Sequence, residues 1–193
     1  MADPLSDAQA RFAALHTYQV TVQSAAAAGD RHVIRYFYRK PGWVRMEFIQ
    51  PYRGMVLIYD PGSSRVRLWP FGVNRPSLSL TPNHPLLRNA HGHQVDRSDV
   101  GSLLPNLRYL QEHGNLTLLG DAEVAGRAAL GLDVSGGAES AVADVHRYRV
   151  WLVRDTMFPL RVESFDLNGK LLETVDMADA EIDVSFPDRF FTP

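Results

Sequence analysis

Cysteine is absent from the 193 residues of the sequence. This absence excludes disulfide frameworks, thiolate metal sites, cysteine nucleophiles and a lipid-bearing cysteine from the chain. Runs of about 18 apolar residues are also absent, so no segment is predicted to span a bilayer. An excess of one charge is lacking too, because 20 Lys and Arg stand against 22 Asp and Glu and give a formal net charge of −2. This balance provides no overall field for binding nucleic acid or an anionic membrane, although a local basic patch is compatible with it.

The first residues lack the basic start and the apolar core of a signal peptide. They are polar and helix-opening, as in a mature exported protein whose leader has been replaced by a start methionine, and a cytoplasmic origin is equally compatible with them. Apolar residues make up 45% and charged residues 22%, which are ordinary values for a globular protein. The length predicts one domain, residues 1–193, with a core large enough to need neither metal nor disulfide.

Alternating apolar and polar residues predict that most of the chain is β-structure. A short helix comes first, with Ser6 and Gln9 placed to form a capping box, and the period then changes from 3.6 to 2 residues. In residues 43–49, one apolar face is formed by Val44, Met46 and Phe48. Strands follow one another at short spacing, which is typical of an antiparallel meander, and Asn168-Gly169 is a strong hairpin signal.

Residues 70–94 break the strand pattern, since four prolines and two glycines lie there, and they predict a long ordered loop. Helical periodicity follows the loop, in an apolar stripe formed by Val100, Leu103, Leu104, Leu107 and Leu110. Asp96 or Ser98 can cap this segment, and Pro105 predicts that it divides into two short helices.

These elements predict a mainly β fold with a helical insertion. A long meander with one apolar face curls, and the helices can cover its concave side. If the fit is loose, the result is an apolar cavity that can accept a ligand. The strand residues expected to line it are Val44, Met46, Phe48, Val56 and Ile58, and the helix residues are Leu103, Leu104, Leu107 and Leu110. A fully packed core has the same composition, so both alternatives stay open.

Two patterns could carry other chemistry. His84, His91 and His93 could hold a metal, but no carboxylate stands at tight spacing among them, and no metal site is predicted. Basic residues alternate with aromatics in residues 31–45, as in platforms that bind single-stranded nucleic acid. A cationic sheet face balanced by acidic neighbours explains the same pattern and is preferred at this net charge. The chain lacks a glycine-rich phosphate loop and a G-x-S-x-G motif.

Several segments together resemble the LolA-like family of periplasmic lipoprotein carriers. Residues 38–48 (YRKPGWVRMEF) are similar to a strand–turn–strand of that family, and residues 57–69 (LIYDPGSSRVRLW) to its next hairpin. Residues 124–132, 150–170 and 186–191 resemble later strands and the closing segment. The resemblance extends over nearly the whole chain in order. It implies one LolA-like domain with an open, strongly curved antiparallel sheet (a half-barrel) and helices as a lid over an apolar cavity.

The resemblance also implies a function. A LolA-like carrier works in the periplasm, takes the acyl chains of a lipoprotein from an inner-membrane transporter and delivers them to an outer-membrane receptor. It is not an enzyme and needs no cofactor, metal or nucleic acid. In that family an Arg before a Pro latches the lid; the matching position here is Lys40, which has one mobile ammonium in place of a planar guanidinium. The alternative on the same fold is a periplasmic regulatory module that senses a lipid or peptide and acts through a protein partner.

Overall fold

The computed structural model describes residues 3–87 and 100–193. The helices with described limits are α1 (Pro4–Ala14) and α2 (Val100–Glu112), and residues 85–87 are helical as well. The strands are β1 (Thr17–Ala26), β2 (Arg31–Arg39), β3 (Trp43–Gln50), β4 (Val56–Asp60), β5 (Arg65–Trp69), β6 (Leu78–Leu80), β7 (Gly114–Val124), β8 (Arg127–Gly136), β9 (Arg147–Val153), β10 (Pro159–Phe165), β11 (Leu171–Asp176) and β12 (Glu181–Ile182).

The twelve strands belong to one sheet. Its order is β6-β5-β4-β3-β2-β1-β11-β10-β9-β8-β7, and β12 pairs with β1 outside this path. Strands β6 and β7 stand at the two ends of the order, so the sheet is open. Neighbouring strands are antiparallel wherever their register is described. The predicted mainly β fold on a single open antiparallel sheet is confirmed.

The chain divides into two compact units. Unit 1 comprises Met1–Ala14, Ser24–Asp30 and Val100–Ala178, and unit 2 comprises Leu15–Gln23, Arg31–Asp99 and Asp179–Pro193. Unit 1 therefore holds α1, α2 and the strands β7 to β11, whereas β2 to β6 and residues 179–193 belong to unit 2.

Helix α1 begins earlier than the sequence predicts. Asp3 caps it, because its carboxylate accepts hydrogen bonds from the Leu5 N–H at 3.2 Å and from the Ser6 hydroxyl at 3.0 Å. Pro4 occupies the first helical position, where its missing N–H costs nothing. The predicted cap at Ser6 is therefore wrong, and Ser6 lies inside the first turn.

Helix α2 is one continuous element with Pro105 inside it, so the predicted division into two helices is wrong. Its buried stripe consists of Val100, Leu104, Leu107 and Leu110, while Leu103 is only half-buried. The helix lies against β7 and β8. Gly136 permits this close approach, since a Cβ there would lie 3.0 Å from a methyl group of Leu110 and 2.5 Å from the carbonyl oxygen of Ser140.

The proline-rich stretch contains more regular structure than predicted. Strand β6 lies inside residues 70–94 and pairs with β5, with Leu80 opposite Val66 and Leu78 opposite Leu68. The predicted caps of α2, Asp96 and Ser98, and the histidines His91 and His93 lie outside the described residues.

Candidate functional site

The apolar face predicted on β3 exists in unit 2. Val44 stands opposite Tyr59 and Met46 opposite Leu57. Directly opposed residues share a face of the sheet, so Leu57 and Tyr59 continue the face of Val44 and Met46 onto β4. Met46 and Phe48 are each 2% exposed and Leu57 is 0% exposed.

Val56 and Ile58 lie on the other face of the same strands. Val56 is opposite Glu47, and Ile58 is opposite Arg45. Because successive side chains of a strand point to opposite faces, these two residues cannot line a space with Val44. The expectation that Val56 and Ile58 share the face of Val44 is therefore wrong, because Leu57 and Tyr59 occupy that face. That this face lines a ligand cavity stays a prediction.

Three tyrosines extend the first face across β1 and β2. The Tyr18 ring stacks on Tyr36 at 5.9 Å between centroids and on Tyr38 at 5.1 Å. Tyr18 and Tyr36 are buried. The sequence argument missed this stack, although the alternation of Tyr36 and Tyr38 with Phe37 was a signal for it.

The second face carries a hydrophobic cluster that is covered by the end of the chain. Val56 and Ile58 pack there with Phe37, Trp69 and Phe191. We call Phe186, Phe190 and Phe191 the C-terminal aromatic segment. The rings of Phe190 and Phe191 meet edge-on at 5.2 Å, and the ring of Phe186 stacks on Phe190 at 5.0 Å.

Arginines of β2 and β3 hold the C-terminal aromatic segment. The Arg45 guanidinium lies 4.3 Å from the ring centroid of Phe190 and donates a hydrogen bond of 2.6 Å to the Phe190 carbonyl oxygen. Arg39 lies 4.7 Å from the ring centroid of Phe191. Arg45 also pairs with Glu47 at 2.8 Å. These basic residues of the predicted platform therefore contact the protein's own rings and a carboxylate, which supports the balanced sheet face over a nucleic-acid platform.

Unit 1 contains a polar centre between α2 and the sheet. Tyr148 on β9 is buried, and this burial raises its pKa to about 12. A hydrogen bond with the Asn106 side chain partly opposes the increase in pKa, whereas the negative charge of Glu173 adds to it. Glu173 accepts a hydrogen bond from the Ser24 hydroxyl. Ser164, which is opposite Tyr148, donates a 3.4 Å hydrogen bond to the backbone oxygen of Glu173. Sequence reasoning missed this centre, because its members come from five separate elements.

A charged cluster occupies the other face of the same strands. Asp133, whose side chain is 12% exposed, accepts hydrogen bonds from Arg147 and, at 3.3 Å, from Arg149. Both guanidiniums lie 5.5 Å from the ring centroid of Phe165. The hydrogen bonds from Arg147 lower the pKa of Asp133 below its ordinary value, although burial opposes them, and Arg149 adds to the effect.

The candidate latch, Lys40, is exposed at the end of β2. Its backbone N–H donates a 2.8 Å hydrogen bond to the His16 carbonyl oxygen, and its peptide bond to Pro41 is cis. These contacts fix the backbone of the turn. A latch role of the ammonium stays a prediction.

The predicted helix residues belong to unit 1 and the predicted strand residues to unit 2. Leu104, Leu107 and Leu110 are buried on the side of α2 that lies against its own unit. The expectation that this stripe and the face of Val44 border one ligand space stays a prediction.

Within residues 3–87 and 100–193, no three histidine, aspartate or glutamate side chains come together as a metal ion would require. No helix in this part of the chain is long and apolar enough to cross a bilayer.

Known structures share this fold. MucB is 19% identical to the chain with a TM-score of 0.64, and the alignment covers 98% of this chain and 62% of that one. MucB in the Pseudomonas aeruginosa MucA/MucB complex is 18% identical with a TM-score of 0.62, covering 99% and 60%. The Mycobacterium tuberculosis lipoprotein LppX is 13% identical with a TM-score of 0.54, covering 95% and 96%. The chain thus spans about three-fifths of the MucB chains that it matches.

No curated protein sequence matches the chain. The sequence profile of the MucB/RseB N-terminal domain matches residues 80–193, which is more than half of the chain. This domain has the LolA-like fold, so the resemblance described from the sequence is confirmed. The chain therefore belongs to the MucB/RseB N-terminal domain family.

Proposed function

We propose that this chain is the sensing module of a periplasmic regulatory protein and that it acts by binding a segment of a protein partner. The observation that carries the proposal is the match of residues 80–193 to the MucB/RseB N-terminal domain. MucB itself has been solved in complex with MucA(peri), a polypeptide partner. The proposed role is binding and not catalysis, and it requires no cofactor.

The packing of the apolar face supports a regulatory module over a carrier. A side chain that lines a cavity wide enough for an acyl chain retains accessible surface, because the cavity admits water-sized probes. Met46, Phe48 and Leu57 retain 2% or less, whereas Tyr38 and Tyr59, which stand opposite Val44, are half-buried. Acyl chains would therefore need this face to open before they could enter, whereas a protein partner can bind the outer surface as it stands.

The test is a direct binding measurement. The purified chain is titrated calorimetrically with a peptide that corresponds to MucA(peri) in the MucA homologue of the same organism, and a peptide of scrambled order is the control. We expect saturable 1:1 binding of the first peptide and none of the second. Equal heats from both peptides would refute the regulatory proposal.

Carriage of acyl chains is the second candidate. The face that runs from Tyr18 through Met46 and Phe48 to Leu57 is continuous and apolar, and a flexible Met suits a surface that repacks around ligands. Each CH₂ moved from water into such a site contributes about 0.8 kcal/mol, so one long acyl chain could supply on the order of 10 kcal/mol before ordering costs. An inner-membrane transporter and an outer-membrane receptor would then be the partners.

Native mass spectrometry separates the two candidates. A carrier should retain a stoichiometric lipid or lipoprotein through purification from its host, and Lys40→Leu should speed the loss of that lipid without changing the melting temperature if Lys40 latches a lid. A regulatory module should instead form a complex with a single polypeptide. Lipid present together with a failed peptide titration would assign the carrier function.

A further inference from the structure

Two loops of unit 2 expose aromatic side chains next to arginines. The β3–β4 loop carries Tyr52 and Arg53, and the β5–β6 loop carries Phe71 and Arg75; we call these four residues the loop patch. Phe71 is 81% exposed and Tyr52 is 45% exposed. Both arginines are exposed as well.

The two loops are ordered and touch each other. The Met55 N–H donates to the Tyr52 carbonyl oxygen at 3.1 Å, and the Arg75 N–H donates to the Gly72 carbonyl oxygen at 3.0 Å. A Cβ at Gly72 would lie 3.8 Å from the Gly54 carbonyl oxygen. The loop patch is therefore one surface formed by two adjoining turns.

The two loops of the loop patch carry only positive charges. Arg75 is the only charged residue of the β5–β6 loop, residues 70–77. Arg53 is the only charged residue of the β3–β4 loop, residues 51–55. The loop patch therefore has a local positive charge that the overall net charge of −2 conceals.

We propose that the loop patch docks on the surface of an anionic lipid bilayer. Tyr favours the headgroup level of a membrane, Phe is buried at the boundary between headgroups and acyl chains, and arginines beside them bind lipid phosphates. Phe71 and Tyr52 would insert at that level while Arg53 and Arg75 contact phosphates. A soluble polyanion would satisfy the arginines but would leave the Phe71 ring in water, and this difference favours a bilayer. Membrane docking goes beyond the proposed function, which does not depend on it.

Vesicle sedimentation tests the proposal. Wild type is mixed at low ionic strength with anionic vesicles of phosphatidylethanolamine and phosphatidylglycerol in a ratio of about 3:1. A second sample contains vesicles of pure phosphatidylcholine. We expect binding to the anionic vesicles that weakens as salt is added, and much weaker binding to the neutral ones.

Variants identify the residues responsible. Phe71→Ser should lower the partition coefficient roughly tenfold or more, because the ring no longer leaves water. Arg53→Gln and Arg75→Gln should each lower it about fivefold and reduce its salt dependence. Leu167→Ser is the matched control, since Leu167 is 54% exposed in the β10–β11 turn, and it should leave the partition unchanged. All four side chains are exposed, so the variants should melt with wild type.

Three results would overturn membrane docking. The first is a failure of wild type to sediment with anionic vesicles. The second is an equal decrease of the partition coefficient in Phe71→Ser and Leu167→Ser. The third is competition by monomeric short-chain phosphatidylglycerol with vesicles at equal lipid concentration. That result would mean that the loop patch binds a single lipid headgroup and not a bilayer surface. Phe71→Ser should still bind the partner peptide as wild type does, so the failure of docking and the failure of the regulatory function are separate observations.

Discussion

Phe48→Ala tests whether the apolar face of unit 2 is a packed core or a ligand cavity. Phe48 is 2% exposed, its ring meets Tyr52 edge-on at 6.4 Å between centroids, and its backbone is hydrogen bonded to Met55 and Gly54. Removing the ring from a packed core leaves a void that the neighbours fill only in part. The expected cost is about 3–5 kcal/mol of the free energy of unfolding.

The adjacent residue is the matched control. Ile49 is 45% exposed. Ile49→Ala should therefore cost less than about 1 kcal/mol. At roughly 2–4 °C per kcal/mol for a chain of this size, Phe48→Ala should lower the melting temperature by about 6–20 °C.

Two measurements complete the test. Urea unfolding and titration with a fluorescent fatty acid are both made on wild type and on the two variants. A packed core predicts a large loss of stability in Phe48→Ala and no fatty-acid binding by any of the three proteins. The packed-core argument would be refuted if Phe48→Ala unfolded within about 1 kcal/mol of wild type and bound the fatty acid differently. That result would favour the carrier function.

Three further predictions concern other residues. Asp133→Asn should lower the free energy of unfolding by about 1–2 kcal/mol at pH 7. Because Arg147 holds the folded pKa of Asp133 below its unfolded value, this stabilisation is present above about pH 4 and is lost as the pH falls through the folded pKa. Urea unfolding of wild type and variant should therefore differ less at pH 3 than at pH 7. Burial raises the pKa of Tyr148 to about 12, so the free energy of unfolding should fall as the pH rises from about 10 to 12. In alkaline unfolding curves, Tyr148→Phe should remove this pH-dependent loss of stability. Phe191→Ala should cost about 3 kcal/mol or more in thermal melts, and a loss below 1 kcal/mol would contradict the described packing.

The strands were predictable because alternation and turn chemistry are local. The Asn168-Gly169 turn joins β10 and β11 as predicted, with Gly169 at a φ of +76°. The apolar face predicted in residues 43–49 lies on β3 (Trp43–Gln50), whose limits differ from the predicted ones by one residue. The sequence did not predict strand β6 (Leu78–Leu80), which lies between Pro76 and Pro82. A segment of three residues forms a strand only when a neighbouring strand supplies the hydrogen bonds.

The faces of the sheet were harder to predict than its strands. Strand β4 is apolar on both sides, so its sequence alone does not determine which of its residues lie on the same face of the sheet as Val44 and Met46. That depends on the β3–β4 register, and a shift of one residue exchanges the two faces. The observed register places Leu57 opposite Met46 and sends Ile58 to the aromatic face. The error at Val56 and Ile58 is one of register.

The polar centre around Tyr148 shows a further limit. Its partners Asn106, Ser24 and Glu173 are far apart in sequence and come together only through tertiary packing. Each of them alone looks like a surface residue. Pro105 misled the prediction in the opposite direction, because a helix supported by buried leucines tolerates the loss of one backbone hydrogen bond.

The cover of the aromatic face has a consequence for biosynthesis. The hydrogen bond from Arg45 to Phe190 joins residues 145 positions apart. At about 5–20 residues per second, translation separates the two partners by roughly 7–30 s. During that interval Phe37, Ile58 and Trp69 already exist and the rings that cover them do not. The nascent chain therefore exposes an apolar strand surface until the C-terminal aromatic segment has been made, and holding chaperones should recognise residues 31–69 until residue 191 has emerged.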